Sequence, residues 1–340
     1  MSPVALAIGL VLFGHGVQAV GAAMASYWGG FAGFVIVGGV LADRWDARKL
    51  MVSADLVRVG TQSVTAVLFL TGIVVPWQIC LIGLVNGLCA ALFQPGVAST
   101  VPRIATDIQG ANAAIRSAES VMSIAGPAVA AVLIGVASVG GVFAFHAFIY
   151  VVSAACLIGL RLSANAAPGT VAGAFRRDLV EGWREFRART WLWGVIAIWM
   201  GFVVTAFGPT IPLAATELIA THGNSAYGWI MSANGLGMAV GGLLALRVRP
   251  RFPLRTGAIA LTGFSLQPLT VGLHLPVAVI VPGFVFSGVV QAFWAVMWAT
   301  SVQTHVPHGV LNRVHAYEVA GSLAMMPVGQ VVAGPAAALL

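Results

Sequence analysis

The chain has 340 residues, 59% of them hydrophobic and only 8% charged, with a mean hydropathy of +0.95. Soluble domains are typically about half apolar and about a quarter charged, so this composition excludes a water-soluble protein and identifies a polytopic membrane protein. The formal net charge of +7 does not indicate a nucleic-acid binder: the basic residues form short clusters between apolar runs, as juxtamembrane loops do.

A membrane-crossing helix requires about 20 mostly apolar residues. The first apolar piece, 3–13, is too short to cross unless it runs into the following helix, and it lacks the basic leader and cleavage site of a signal peptide. Spans are predicted near 19–42, 51–72, 76–98, 114–138 and 141–161. After a charged segment, further spans are predicted near 191–213, 227–247, 256–274, 276–301 and 314–338. The expectation is an all-α protein with ten full spans and one partial one.

The charges test this map. All seventeen Lys and Arg residues fall in five places: Arg44 to Arg58, Arg103 to Arg116, Arg161 to Arg189, Arg247 to Arg255, and Arg313. These are alternate connections and the helix ends beside them, whereas the connections near 72–76, 139–141, 214–226 and 274–276 contain no Lys or Arg. The positive-inside rule makes the basic side cytoplasmic.

The longest connection, "RLSANAAPGTVAGAFRRDLVEGWREFRART" (161–190), begins with small residues and continues as an amphipathic helix at about 175–189. Such a helix can lie on anionic lipid. It separates an N-terminal bundle, 1–162, from a C-terminal bundle, 191–340, with 163–190 as a cytoplasmic linker. The bundles echo each other. "GGVLADR" (38–44) returns as "GGLLALR" (241–247), "TVPR" (100–103) as "HVPH" (305–308), and "AGPAVAAVL" (125–133) as "AGPAAALL" (333–340). The offsets are 203, 205 and 208 residues. Parallel repeats of this kind are a transporter architecture. Cys80, Cys89 and Cys156 all lie in apolar stretches without zinc spacing and read as small buried hydrophobes.

The stretch "GGVLADRWDARKLM" (38–51) packs five charges into seven positions at the end of an apolar run. It resembles the loop between the second and third helices of the major facilitator superfamily, a Gly, an Asp-Arg pair and a basic pair. Here these are Gly39, Asp43, Arg44, Arg48 and Lys49, with Ala47 where the family has Gly. "SIAGPAVAAVLIG" is similar to the exporter-associated motif of the family's fifth helix through Gly126 and Pro127, while Met122, Ala130 and Ala131 replace its flanking glycines. "FQPGVASTVPRI", "GANAAIRSA", "FIYVVSAACLIGLR" and "RRDLVEGWREFRART" resemble the bacterial branch that includes enterobactin and macrolide exporters. The resemblance implies two pseudo-symmetric six-helix halves. Against that pattern "FGHGVQAVG" falls at the end of the first helix, and the chain stops where the twelfth begins. The sequence therefore reads as truncated at both ends, with about ten or eleven of twelve helices present.

The charged turn has a physical reading of its own. Asp43 can cap a helix start or pair with Arg44, and the basic residues hold the chain at anionic lipid. Asp55 and Arg58, at i and i+3, extend the same network. The resemblance implies a latch that bonds to the eleventh helix in the outward-facing state, with Glu318 as the partner; a solvated turn serving topology alone is the plainer alternative. Gly126-Pro127 removes one backbone hydrogen bond and permits a kink or close packing, and the resemblance adds a role in blocking proton leak.

The resemblance also places a cavity among the first, fourth, seventh and tenth helices. Asn86 lies mid-span, and Gln291 is its repeat counterpart at an offset of 205. Gln291, Trp294 and Trp298 share a helix face, and Trp199 comes from the seventh helix. Aromatic walls with few charges suit an amphipathic, mainly apolar small molecule, although each residue could equally serve packing. Proton coupling needs a titratable group inside the bundle. The candidate is Glu119, about 10 Å into its span from Asn112 at about 1.5 Å per residue, with Arg116 near enough to hold it ionised instead. His146 reads as a core histidine. No phosphate-binding loop, nucleophile constellation or metal spacing is present, so no enzymatic activity, cofactor or metal is expected.

The resulting expectation is a monomeric secondary exporter in the bacterial cytoplasmic (inner) membrane. It would move small amphipathic substrates against protons, in contact with lipid and without nucleic acid. An importer of the same fold and a degenerate or regulatory non-transporting protein are the alternatives.

Overall fold

The computed structural model describes residues 2–44, 46–104, 108–160, 183–248, 250–306, 317–318 and 321–339. Among these residues every regular element is helical, and no strand occurs. The first six helices are α1 (Ser2–Leu12), α2 (Val17–Arg44), α3 (Ala47–Thr71), α4 (Pro76–Ile104), α5 (Ile108–Val136) and α6 (Val139–Gly159). The second set comprises α7 (Thr190–Phe202), α8 (Gly208–Arg247), α9 (Pro253–Leu261), α10 (Leu266–Gly272), α11 (Val277–His305) and α12 (Met326–Leu339). Part of the expected linker helix, 183–188, is helical; residues 161–182 lie outside the described part.

Local chemistry sets the ends and bends. α3 begins at Asp46, whose Oδ1 accepts from the backbone N–H of Arg48 at 2.9 Å and of Lys49 at 3.4 Å. The cap that α3 needs thus comes from Asp46, while Asp43 belongs to the body of α2. α3 ends at Gly72, with φ 75°, a left-handed position that glycine adopts without penalty. α7 passes into α8 through a π turn, Val203–Phe207, ahead of Pro209, which has no N–H to donate back to the Thr205 carbonyl. α9 and α10 are joined by a 3₁₀ turn, Thr262–Ser265, ahead of Pro268. The connection expected at 214–226 is present but shorter than expected: helix continues on both sides of it and the chain breaks at Gly223, with φ 82° and ψ 171°. Its polar residues did not end the helix because a helix extending beyond the apolar slab solvates them readily; the positive-φ glycine ends it.

Joining α7 through its π turn to the arm of α8 before Gly223, counting the arm beyond Gly223 separately and joining α9 to α10, the helices named above form eleven rods among the described residues. Among the described residues, four segments are long and apolar enough to cross a membrane by length and composition alone: Pro76–Phe93, Val139–Gly159, Thr190–Ala245 and Val277–Val302. Large apolar side chains such as Phe148, Ile198, Leu243 and Ile259 lie exposed on the outer faces, as lipid-facing residues do.

In the first half α2 packs on α4 and α3 on α6; in the second, α8 and α9 pack on α11. Small residues allow these approaches. A Cβ on Gly83 would lie 3.0 Å from the Ala23 carbonyl oxygen, and one on its repeat counterpart Gly288 would overlap the Asn234 carbonyl. The halves meet along α5–α8 and α2–α12, and α1 lies on α8. The largest apolar core draws Ile8, Phe69, Val142 and Phe143 from the first half and Leu218, Ile230, Ile280 and Phe284 from the second. These residues lie toward the helix ends opposite the basic turns, so that side is sealed by packing between halves. Among the described residues, the buried clusters toward the basic side are smaller.

Candidate functional site

α11 places Gln291, Trp294 and Trp298 on one face, and α7 brings Trp199 against it. The indoles of Trp199 and Trp294 are 6.3 Å apart between centroids and 17° from parallel; those of Trp294 and Trp298 are 6.2 Å apart and 20° from parallel. This ladder of three indoles walls a cavity of about 290 Å³ that also takes in Gln291, Glu318, Ser322 and the π-turn residues Val203 and Phe207. A π turn at a ligand cavity is a recurrent pairing. A second groove of about 430 Å³, between α7 and α9, shares Val195, Trp199 and Trp294 with the first.

Glu318 forms the acidic end of the ladder. The Trp298 indole N–H donates to its Oε1 at 2.7 Å, and the Ser322 hydroxyl donates to the same oxygen at 3.4 Å. Sequence reasoning assigned this residue to a latch and missed its place in the cavity wall. The available signal was its reach from the following helix to the Trp298 face, which no spacing within one helix reveals. Gln291 donates to the Ser287 hydroxyl at 2.9 Å, and Ser287 donates to Gln267 on α10 at 2.8 Å. Asn86 lines neither described cavity. Its Oδ1 accepts from the Thr61 hydroxyl on α3 at 3.0 Å and its Nδ2 donates to the Ile82 carbonyl at 2.9 Å.

The remaining candidates are dispersed. Gly39, Asp43 and Arg44 lie in the last turns of α2, with their side chains outside the described part. Arg48 donates to the Ile158 carbonyl near the end of α6, and Lys49 is exposed. Asp55 and Arg58 are not at the turn but buried against α6 and α4, 3.7 Å apart, with Ser153 donating to Asp55 Oδ2 at 2.6 Å. Gly126 and Pro127 sit at the seam between halves, where a Cβ on Gly228 would lie 3.1 Å from the Pro127 carbonyl oxygen and overlap Ala131. Glu119 and Arg116 belong to α5, and their side chains lie outside the described part. His146 packs edge-on to Phe143, with ring centroids 6.3 Å apart. Among the described residues no cluster of His, Cys, Asp and Glu could hold a metal, and the three cysteines are unbridged.

The Major Facilitator Superfamily profile matches residues 2–339. Among curated relatives, Macrolide efflux protein A of Enterococcus faecalis is 24% identical over 318 residues, covering 88% of this chain and 96% of that protein. The Streptococcus pyogenes protein of the same name is 24% identical over 321 residues, 89% of this chain and 77% of that protein. Among solved structures, a mutant of the nucleoside transporter NupG superposes with a TM-score of 0.77 at 14% identity, covering 98% of this chain and 86% of that one. A bacterial homologue of the iron transporter ferroportin in its inward-facing state gives 0.58 at 14% identity, with 99% and 91% covered. The structural likenesses speak to the fold.

Proposed function

Because the chain belongs to the Major Facilitator Superfamily, we propose that it is a secondary active exporter of amphipathic small molecules in the bacterial cytoplasmic membrane. It exchanges cargo for protons by rocking its two halves around the cavity. The observation that carries this reading is the indole ladder ending on a carboxylate: aromatic faces take apolar cargo, and one acidic group accepts a donor or cationic end. The similarity to macrolide efflux proteins supports outward movement. With the basic side cytoplasmic, the packed core seals the outside, the arrangement in which an exporter loads.

The basic turn keeps its proposed role as a latch, formed by Gly39, Asp43, Arg44, Arg48 and Lys49 with Glu318. Since Glu318 also walls the cavity, cargo and latch act on neighbouring groups. The protein acts as a monomer in contact with lipid. Import of a small molecule is the second reading, since the fold shared with the nucleoside transporter NupG sets no direction of transport.

Ethidium efflux from energised cells tests the proposal. Expression should speed dye loss, and a protonophore should abolish the gain; a gain that survives the protonophore would remove proton exchange from the account.

A further inference from the structure

α3 carries two faces of opposite character. Leu56, Val64, Val67 and Leu70 point outward and are each more than half exposed, whereas Asp55, Arg58, Gln62 and Thr65, at i, i+3, i+7 and i+10, are buried. Asp55 is eight residues past Ala47, about 12 Å along the axis, and the buried stripe continues for about 15 Å beyond it at about 1.5 Å per residue. A charged pair at that depth is costly and marks function in membrane bundles.

The geometry leaves the pair loosely tied. Asp55 is 1% exposed. Its Oδ2 accepts from Ser153 at 2.6 Å, but its Oδ1 accepts no hydrogen bond, and Arg58 Nη1 stands 3.7 Å away. Further along the stripe, Gln62 Oε1 also accepts none. The Arg58 guanidinium has a second set of partners, 5.5 Å from the Phe93 ring centroid on α4 and 5.3 Å from that of Tyr150 on α6. Among the described residues, the other titratable groups facing the pair are Tyr27 on α2, Cys89 on α4 and Tyr150 itself, all mainly uncharged at neutral pH. The repeat shows that the framework does not need the charges. Residues 205 positions on from Gln62 and Thr65 are again Gln267 and Thr270, but those matching Asp55 and Arg58 are Ala260 and Gly263.

We propose that Asp55 takes up and releases the coupling proton, with Arg58 as its exchangeable counter-ion. The inference rests on the proton-exchange reading above. A proton from the aqueous side adds to Oδ1, forming an O–H bond and a neutral acid that keeps its Ser153 contact. Arg58 keeps its charge and moves onto the Phe93 and Tyr150 faces. Loss of the proton to the other side restores the ion pair, so the packing of α3 on α4 and α6 follows protonation.

The test uses the purified full chain in lipid and two variants, Asp55→Asn and the charge-neutral pair Asp55→Asn/Arg58→Gln. The double variant leaves no unpaired buried charge and keeps the test open if the single one fails to fold. Infrared difference spectra between alkaline and acid pH should show a protonated-carboxyl C=O band in the native chain and in Glu119→Gln, but not in the double variant. Proton-driven dye efflux should be lost in the double variant while downhill dye exchange persists. A carboxyl band and driven efflux that both survive in the double variant would overturn the assignment and leave proton exchange standing. A native chain with no protonophore-sensitive efflux would overturn both.

Discussion

The third and fourth helices of the two halves share a frame and differ in charge. Gln62 and Thr65 on α3 are matched 205 residues on by Gln267 and Thr270, and Asn86 on α4 by Gln291 on α11. Each half uses these residues to tie the two helices across the bilayer: Thr61 to Asn86 in the first, Ser287 to Gln267 with Gln291 attached in the second. The copies part at other positions. Asp55 and Arg58 face Ala260 and Gly263 in the repeat, and Phe93, which offers its ring to the Arg58 cation, is matched by Trp298, which donates its N–H to the Glu318 anion. What recurs holds helices together; what diverges carries charge in one half and an aromatic cavity in the other. The division of labour is the lesson: the first half supplies the ion pair, the second the indole-walled cavity.

Arg58→Ala should break the comparison most severely. It strands the Asp55 carboxylate, and removing one partner of a buried pair costs about 3–5 kcal/mol; thermal unfolding in detergent should show the loss, and Asp55→Asn/Arg58→Gln should recover most of it. Gly263→Ala probes the charge-free copy. A Cβ there would lie 2.5 Å from Phe286 Cε1, so overpacking of about 1–3 kcal/mol is expected, which an unchanged midpoint would refute. Trp298→Phe makes the second half resemble the first by removing the N–H to Glu318 at 2.7 Å. The expected cost is about 1–2 kcal/mol in stability, together with weaker dye binding by fluorescence titration. Thr61→Val should cost least, about 0.6 kcal/mol, the average of interhelical hydrogen bonds within membranes. A much larger loss would mean that Asn86 has a role beyond joining α3 to α4.

The helical frame was readable because apolar length and the alternation of basic connections constrain each other, as the runs around Arg44–Arg58 and Arg247–Arg255 show. The Gln291, Trp294 and Trp298 face was readable because one helix carries all three at fixed angular spacing. Asn86 was harder: a mid-span amide looks the same whether it faces a cavity or a neighbour, and its partner Thr61 sits on another helix. The place of Glu318 in the cavity wall was hidden for the same reason, since the α11 indole that fixes it is 20 residues away in sequence. The buried setting of Asp55 and Arg58 was hidden by their nearness to a basic surface turn, although the period of Asp55, Arg58, Gln62 and Thr65 already placed them on one inward face.

The central claim is export through the indole-walled cavity of the second half, and everted membrane vesicles test it most directly. With an imposed proton gradient, acid inside, native vesicles should take up ethidium, lose it on addition of a protonophore, and lose most of the uptake when Trp294→Ala removes the middle of the ladder at equal protein level. Gradient-independent dye levels, or accumulation only when the gradient is reversed, would contradict the account.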